Sequence, residues 1–395
     1  MRAARFVPAI AVATLLIVIS AQSASAFHSG GVAACSGCHT MHVSQDGRVG
    51  MHWTPGGNPY LLKYGNATDT CVRCHYFRGE FSNGNGYGPG GDFYWLTRTF
   101  TWTTAWGTTE SSSGASHGHN VANRVFGVTA DPVLTHAPGG DFLSSSLGCT
   151  SCHDPHGNAN FRMLYDSTLG PAYVGDARYA FTADAPLATG NAGTTLVGGG
   201  NNETDARHTV YKDGVDEWCA NCHPAMHETG GSRFTHPTGV MLGSAIADNY
   251  NRYVSTDNPD GGQPTTSYAG LVPFEAVQID LATINAASAT AGPGADDEVM
   301  CLTCHRAHAS PFADAGRWDF TATYLARDSH PQAGDAGASA QDVANSYYGR
   351  SFGANQRSLC NKCHAKDYAD EPLVAQHSKP RDEWPDDPSG TGQGR

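Results

Sequence analysis

The stretch CSGCHTMH, residues 35–42, constrains the fold of this chain more than any other. It holds two cysteines separated by two residues, a histidine directly after the second cysteine, and another histidine three residues later. Similar stretches follow as CTSCHDPH (149–156), CANCHPAMH (219–227) and CLTCHRAH (301–308). The repeated motif indicates which kind of group the chain binds, and the second histidine indicates a further ligand beside each of these motifs.

All twelve cysteines fall in C-x-x-C pairs, and a histidine follows each pair directly. Disulfide frameworks and zinc ribbons also use such pairs, but neither needs that histidine. C-x-x-C-H is the attachment signal of c-type haem, because the two thiols form thioethers and the imidazole reaches the iron. We therefore predict six covalent haems, one on each motif in chain order: motif 1 (Cys35, Cys38, His39), motif 2 (Cys71, Cys74, His75), motif 3 (Cys149, Cys152, His153), motif 4 (Cys219, Cys222, His223), motif 5 (Cys301, Cys304, His305) and motif 6 (Cys360, Cys363, His364).

The N-terminus has the features of a secretory signal peptide. Arg2 and Arg5 precede an apolar run that ends at Ile19, and small residues follow it. The run is short for a retained membrane span of about 20 residues, so we predict export with cleavage before Phe27. No later segment predicts a membrane span. The expected location is outside the cell or on its outer surface.

Three segments follow from this interpretation: a signal peptide over 1–26, a single hexahaem cytochrome domain over 27–366, and a polar tail over 367–395. The formal net charge is −13, and loss of the two arginines of the signal peptide makes it −15. Ionised haem propionates add further negative charge. Such an acidic protein is a poor partner for nucleic acid.

The six motifs leave about 60 residues of the mature chain per haem, too few for separate side-chain cores between them. The chain also contains 47 glycines and 21 prolines. We predict a multihaem cytochrome c fold: a mostly irregular, loop-rich chain with short α-helices and few short strands, wrapped around a continuous haem stack. Short helices are expected to begin at each motif, with another helix over 339–350 and a strand over 92–104.

The second histidine of the opening stretch is expected to serve a different haem from the first. His39 and His42 project from nearly the same side of a helical turn, so they cannot bind one iron from opposite faces of a porphyrin. A solvated position on the helix face is the alternative. The same geometry applies to His153 and His156, to His305 and His308, and, at a spacing of four, to His223 and His227.

Thirteen histidines lie outside the motifs, enough to give every iron a second imidazole. The candidates for distal ligands are His28, His42, His119, His156, His227, His236 and His308. We expect the others to be exposed or hydrogen-bonded: His52, His117, His136, His208, His330 and His377. Ligation by two histidines implies low reduction potentials, because a methionine ligand would raise them.

These residues resemble the OmcS-type hexahaem cytochromes of metal-reducing bacteria. The similar stretches are FHSGGVAACSGCHTMH (27–42), PGGDFYWLTRTFTW (89–102), GHN (118–120), CTSCHDPHG (149–157), EWCANCH (217–223), CLTCHRAHAS (301–310) and LCNKCHAKD (359–367). The resemblance implies a loop fold around six bis-histidine haems, alternating parallel and perpendicular, in subunits joined head to tail. It also implies that His42 ligates the haem on motif 5 of a neighbouring subunit.

The function that this resemblance implies is a polymerised extracellular electron conduit without catalytic residues. The expected partners are further copies of the chain, periplasmic and outer-membrane cytochromes as donors, and extracellular acceptors. A monomeric exported shuttle remains open, since it differs only in what His42 does. A multihaem reductase is less favoured, because it needs an open iron position and often a C-x-x-C-K motif, which the sequence does not contain.

Overall fold

The structure is a computed structural model that describes residues 35–40, 44–45, 48–49, 58–76, 81, 88–174, 177–190, 203–227, 237–284 and 288–364. The predicted signal peptide (1–26) and polar tail (367–395) lie outside these ranges. Within them, turns and irregular segments outnumber helices and strands, which confirms the predicted loop-rich class. No helix among the described residues is long and apolar enough to cross a membrane.

The helices are short. The α-helices span Cys35–Cys38, Ala67–His75, Val215–Ala220, Pro224–His227, Gly243–Arg252, Cys301–Cys304, Leu325–Asp328 and Ala340–Asn345. The 3₁₀ helices span Pro59–Leu61, Phe93–Thr97, Gly114–His117, Ser144–Ser146, Cys149–Ser151, Phe161–Met163, Ser288–Thr290, Ala313–Ala315 and Leu359–Lys362.

The strands pair two by two, and every pair is antiparallel. They are β1 (Ser44–Gln45) with β2 (Arg48–Val49), β3 (Phe100–Thr103) with β4 (Thr109–Ser112), β5 (Ala172–Val174) with β6 (Ala177–Tyr179), β7 (Leu187–Gly190) with β8 (Thr209–Asp213), and β9 (Val240–Met241) with β10 (Glu298–Val299). Two-stranded ribbons are marginally stable alone, so these depend on the segments packed around them.

Buried apolar side chains form separate clusters beside the motifs. One cluster around Trp318 packs against Cys304 and Cys363, and a small one around Met300 packs against Cys219 and Cys301. Another cluster contains Val72, which lies between the two cysteines of motif 2. This distribution fits a chain whose apolar surfaces gather around the predicted haems.

The predicted strand over 92–104 is wrong in its first half. Asp92 Oδ1 accepts a hydrogen bond from Tyr94 N at 2.8 Å. This Asx-type cap starts the 3₁₀ helix Phe93–Thr97, and only the second half is extended, as β3.

The predicted helix over 339–350 begins where expected but ends early. Ser339 Oγ accepts a hydrogen bond from Asp342 N at 3.1 Å, and Asp342 Oδ2 accepts one from Ser339 N at 2.8 Å, which forms a capping box. The α-helix ends at Asn345, and Tyr348 then takes a left-handed conformation with φ of 55°.

Helices at the motifs differ between odd-numbered and even-numbered motifs. In motifs 1, 3 and 5 the helical turn starts at the first cysteine, as expected: Cys35, Cys149 and Cys301. In motifs 2, 4 and 6 that expectation is wrong, because the helix starts earlier, at Ala67, Val215 and Leu359. For motif 2 the cause is Asn66, whose side chain caps the helix by accepting from Asp69 N at 2.6 Å.

Candidate metal centre

Hydrogen bonds tie neighbouring motifs together. Thr68, in the helix that carries motif 2, accepts from Cys149 N of motif 3 at 3.2 Å. Asp216, in the helix that leads into motif 4, accepts from Cys301 N of motif 5 at 2.6 Å. In both cases a side chain of an even motif's helix satisfies the first N–H of the odd motif that follows it.

The thiols of neighbouring motifs also lie close together. Between motifs 2 and 3, a hydrogen bond with the Cys149 thiol is the largest cause of the raised pKa of Cys71. Between motifs 4 and 5, a hydrogen bond with the Cys219 thiol is the largest cause of the raised pKa of Cys301. Between the other neighbouring motifs, burial is the largest cause of a raised thiol pKa, and a thiol of the next motif raises it further. These pairs are Cys38 with Cys74, Cys152 with Cys222, and Cys304 with Cys360, where the first cysteine of each pair has the raised pKa. The six motifs are therefore arranged in chain order, each beside the next.

Motifs 1, 3 and 5 share a backbone module. Each is followed by a 3₁₀ turn whose second and third residues are left-handed, with φ of 54° to 58°: Tyr60 and Leu61, Arg162 and Met163, Asp314 and Ala315. The residue after each motif histidine donates to the carbonyl of the third turn residue. A left-handed non-glycine residue costs on the order of 1 kcal/mol, so the threefold recurrence of this turn indicates a definite role.

That role is to hold the motif histidine. The carbonyl of the middle turn residue accepts a hydrogen bond from the imidazole Nδ1: His39 to Tyr60 O at 2.8 Å, His153 to Arg162 O at 2.8 Å, and His305 to Asp314 O at 2.7 Å. Because a carbonyl only accepts, Nδ1 carries the proton and the Nε2 lone pair is left for a metal.

Two further histidines have the same tautomer. His223 Nδ1 donates to Pro138 O at 2.9 Å, and His119 Nδ1 donates to Ala307 O at 2.6 Å. Burial lowers the pKa of His223, and it lowers the pKa of His119 to about 4. Both imidazoles are thus neutral at physiological pH, as a metal ligand has to be.

The sequence PGGDF occurs twice, and both copies form turns that touch a motif segment. A Cβ on Gly91 (φ of 84°) would lie 1.9 Å from Ala309 O, just after motif 5. A Cβ on Gly140 would lie 2.1 Å from Cys222 O in motif 4. Glycine is required at both positions because the turn backbone lies directly against the motif segment.

Three pairs of histidine rings face each other at nearly equal distance. The centroids are 6.4 Å apart for His39 and His156, 6.2 Å for His153 and His308, and 6.1 Å for His119 and His223. Each pair joins one motif histidine to one predicted distal ligand. Histidine rings that stack on aromatic rings lie closer, at 4.4 Å for His308 on Phe93, 4.0 Å for His330 on Trp102 and 3.6 Å for His208 on Tyr268.

These separations fit a metal ion between the rings. A metal–imidazole bond is about 2 Å long, and the bonded nitrogen lies roughly 1 Å from the ring centroid, so two axial imidazoles have centroids about 6 Å apart. The thiols fit attachment, since all twelve cysteines are described and none forms a disulfide. The residues present therefore fit c-type haem.

Comparison with known proteins agrees with this site. No model of a protein family matches the chain. The c-type cytochrome OmcS of Geobacter sulfurreducens is 33% identical over 432 aligned positions, which cover 91% of this chain and 98% of OmcS. The chain belongs to the OmcS family of c-type cytochromes.

Solved structures of OmcS support that assignment. A cryo-EM structure of OmcS nanowires has a TM-score of 0.70 and 31% identity, and it covers 86% of this chain and all of the OmcS chain. A second structure, of the Outer Membrane Cytochrome S filament, has a TM-score of 0.69 with the same identity and coverage. The fold of OmcS therefore extends over most of this member of the family.

The structure does not describe all of the distal ligands that the sequence predicts for this chain. His28, His42 and His236 lie outside the described residues. His227 ends the helix Pro224–His227, and its Cε1 lies 3.7 Å from the Cβ position of Gly239, with Asp216 Oδ2 at 3.8 Å from the same point.

The surplus histidines within the described ranges all form hydrogen bonds. His117 is fully buried between Trp95 O and Ser112 Oγ, at 2.9 and 2.7 Å. His330 Nδ1 contacts Asp335 at 2.7 Å. His208 contacts two backbone carbonyls, and His136 contacts the neighbouring threonine. His52 and His377 lie outside the described residues.

Sequence reasoning missed the left-handed turns, although two of the three carry a signal. Asn58 Nδ2 donates to Leu62 O at 2.9 Å, and Asn160 Nδ2 donates to Leu164 O at 2.9 Å. An asparagine four residues before a leucine thus closes the turn after motif 1 and after motif 3. The turn after motif 5 has no such asparagine, so the pattern would have identified only two.

Proposed function

We propose that the chain binds six c-type haems and carries electrons outside the cell as a head-to-tail polymer. Bound haem supplies a one-electron Fe(III)/Fe(II) couple. The two thiols of each motif would attach it covalently, and the motif imidazole would bind its iron through Nε2. The side-by-side order of the motifs supports an unbroken haem series through the subunit.

The histidine that would complete each haem comes from a segment other than the motif that attaches that haem. His156 follows motif 3 but faces His39 of motif 1, and His308 follows motif 5 but faces His153 of motif 3. His119 completes motif 4 by facing His223. Three second ligands remain, for motifs 2, 5 and 6, and we propose that they come from the four histidines His28, His42, His227 and His236.

The observation that carries the proposal is the direction of the odd-motif pairs. His156 and His308, the second histidines of odd motifs that the structure describes, both face the motif histidine of the preceding odd motif. The series begins with His42, after motif 1, and ends with His305 of motif 5. By continuing this pattern between copies, we propose that His42 of one copy serves His305 of the next. Such a contact is heterologous and does not close, which produces fibres.

The OmcS relatives support this assembly, since their structures are nanowires and filaments. The relationship to OmcS filaments supports a location outside the cell or on its outer surface. We propose that export is followed by cleavage before Phe27, as the N-terminal sequence predicts. Outer-membrane and periplasmic cytochromes would supply electrons, and extracellular acceptors such as metal oxides would receive them. No step requires a substrate bound to iron, so the proposed role is transfer rather than catalysis.

The test is electron microscopy of the secreted protein beside a His42→Ala variant. We expect wild-type filaments, six covalent haems by mass spectrometry, and no filaments for the variant, in which about one haem in six becomes high-spin. His136→Ala is the matched control, because His136 is exposed and its imidazole contacts the neighbouring Thr135, whereas its bridge to Leu143 is made by the backbone, which alanine keeps. Wild-type monomers with six low-spin haems would instead establish the soluble shuttle, and a high-spin haem in assembled wild type would favour the reductase.

A further inference from the structure

Two arginines and one glutamate form a fully buried cluster behind motif 5. Arg306 Nη1 and Arg317 Nη1 lie 2.8 and 3.1 Å from the same oxygen, Oε2 of Glu203. Their side chains are 1%, 0% and 2% exposed. Although burial opposes ionisation, the two arginines hold the pKa of Glu203 at about 2, so the cluster carries two positive charges and one negative charge.

Arg317 acts directly on the motif. Its Nε donates to Leu302 O at 2.6 Å and to His305 O at 3.2 Å. The guanidinium therefore rests on the backbone of the residue whose imidazole binds the iron. Arg306 follows His305 in the chain and its guanidinium stacks on the ring of Tyr348 at 4.2 Å. Because all three side chains are buried, solvent screens these charges poorly.

The same module at motif 3 has different charges. In each odd module one residue follows the motif histidine and another donates to the carbonyl of the second cysteine. At motif 5 these residues are Arg306 and Arg317, whereas at motif 3 they are Asp154 and Tyr165. The turn residues of the two modules carry the reverse charges, Arg162 at motif 3 and Asp314 at motif 5, but both are exposed to solvent. The buried positive charge therefore lies only on the motif 5 side of this comparison.

We propose that Arg306 and Arg317 hold the haem of motif 5 at a higher reduction potential than the haem of motif 3. The inference rests on the proposed function, because it requires haem on both motifs. A buried positive charge favours the ferrous state, which carries one positive charge fewer than the ferric state. The difference lies at the motif that we assign to the contact between copies, so it makes the junction a preferred place for an electron.

The test is a spectroelectrochemical titration of the intact haem-loaded protein with variants of opposite charge effect. We expect Glu203→Gln to raise, and Arg317→Gln to lower, the potential of one sixth of the haem absorbance. A tenfold change in the ferrous-to-ferric ratio at fixed applied potential, about 59 mV for one electron, is the expected size. Arg317→Lys keeps the charge and should stay near wild type, which separates charge from packing.

Two controls assign the effect. Arg98→Gln breaks another arginine–carboxylate contact, with Asp342 at 2.5 Å, and should leave all potentials unchanged. In a Cys301→Ser, Cys304→Ser background, which removes the haem of motif 5, the Glu203→Gln shift should vanish. Low-spin haems with unshifted potentials, or shifts of the same sign in both variants, would overturn this inference alone. Absence of low-spin haem in the wild type would overturn the proposed function and this inference with it.

Discussion

Odd and even motifs present the same C-x-x-C-H sequence in two structural settings. Motifs 1, 3 and 5 begin a helical turn at the first cysteine, carry a second histidine three residues on, and rest on a left-handed turn. In motifs 2, 4 and 6 the helix begins before the first cysteine. Under the proposed function, the odd motifs would hold ligands for two irons each.

This difference indicates that odd and even motifs have different roles, although both have the same C-x-x-C-H sequence. In the proposed arrangement, His156 and His308 would link the odd motifs to one another across the chain. The even motifs fill the spaces between, held by hydrogen bonds such as Thr68 to Cys149 N and Asp216 to Cys301 N. Linkage between copies is then a continuation of the odd series alone.

The largest expected effect is on assembly in a mixing experiment. One variant, Cys301→Ser with Cys304→Ser, retains His42 but has no haem on motif 5, and the other, His42→Ala, has the reverse defect. Each should remain monomeric alone, and an equimolar mixture should form dimers, because only one of the two contacts can form. Sedimentation velocity measures this; polymers of either variant alone, or monomers in the mixture, would contradict the odd series.

Inside the chain, His308→Ala should affect one iron without preventing polymerisation. The haem of motif 3 loses the imidazole that faces His153 at 6.2 Å, so about one haem in six should become high-spin by electron paramagnetic resonance. His156→Ala should do the same at motif 1. Loss of filaments in either variant, or an unchanged low-spin spectrum, would show that the ring pairs are not axial ligands.

The two PGGDF turns each pack against a motif segment, one against motif 5 and the other against motif 4. Gly91→Ala should lower the free energy of unfolding by at least about 3 kcal/mol, because the new Cβ overlaps Ala309 O and φ is left-handed. Gly107→Ala is the matched control: φ is 80° but nothing lies within 4 Å, so the cost should be about 1 kcal/mol. Denaturant titrations that give equal losses would mean that the turn is not pressed against motif 5.

The smallest expected effect concerns the ties between even and odd motifs. Thr68→Val removes the acceptor of Cys149 N while keeping the shape of the side chain. The expected loss is about 1 kcal/mol in the free energy of unfolding. Thr97→Val provides the comparison, since its hydroxyl donates to Tyr94 O in an exposed turn, and it should be nearly neutral. A similar loss of unfolding free energy in both variants would contradict a specific role of Thr68 in holding motif 2 against motif 3.

The sequence was informative where chemistry is local and uninformative where it is not. Attachment needs two thiols and an imidazole within five consecutive residues, so the motifs could be identified directly. The partner of His39 is His156, far away in the chain, and only folding brings the two rings together. The buried charges at motif 5 likewise come from Glu203, Arg306 and Arg317, which no single stretch of sequence contains.

Two errors in the predicted secondary structure involve side-chain hydrogen bonds, one local and one between distant residues. The strand expected over 92–104 starts as a 3₁₀ helix because the Asp92 side chain caps Tyr94 N, an interaction that outweighs the aromatic, β-branched composition. The helix Gly243–Arg252 was not predicted, and it is positioned by a distant contact, in which Asn249 Nδ2 donates to Asn361 O and Lys362 O at 3.0 Å each. Both examples show side-chain hydrogen bonds overriding propensity.

The most direct test of the central claim is a cryo-EM reconstruction of wild-type filaments that resolves the histidine rings. The odd-motif series predicts that His42 of one copy faces His305 of the next, with centroids about 6 Å apart on either side of the haem of motif 5. A map in which His42 faces a motif histidine of its own chain, or in which His305 is completed by a histidine of its own chain, would contradict the series and the assembly derived from it.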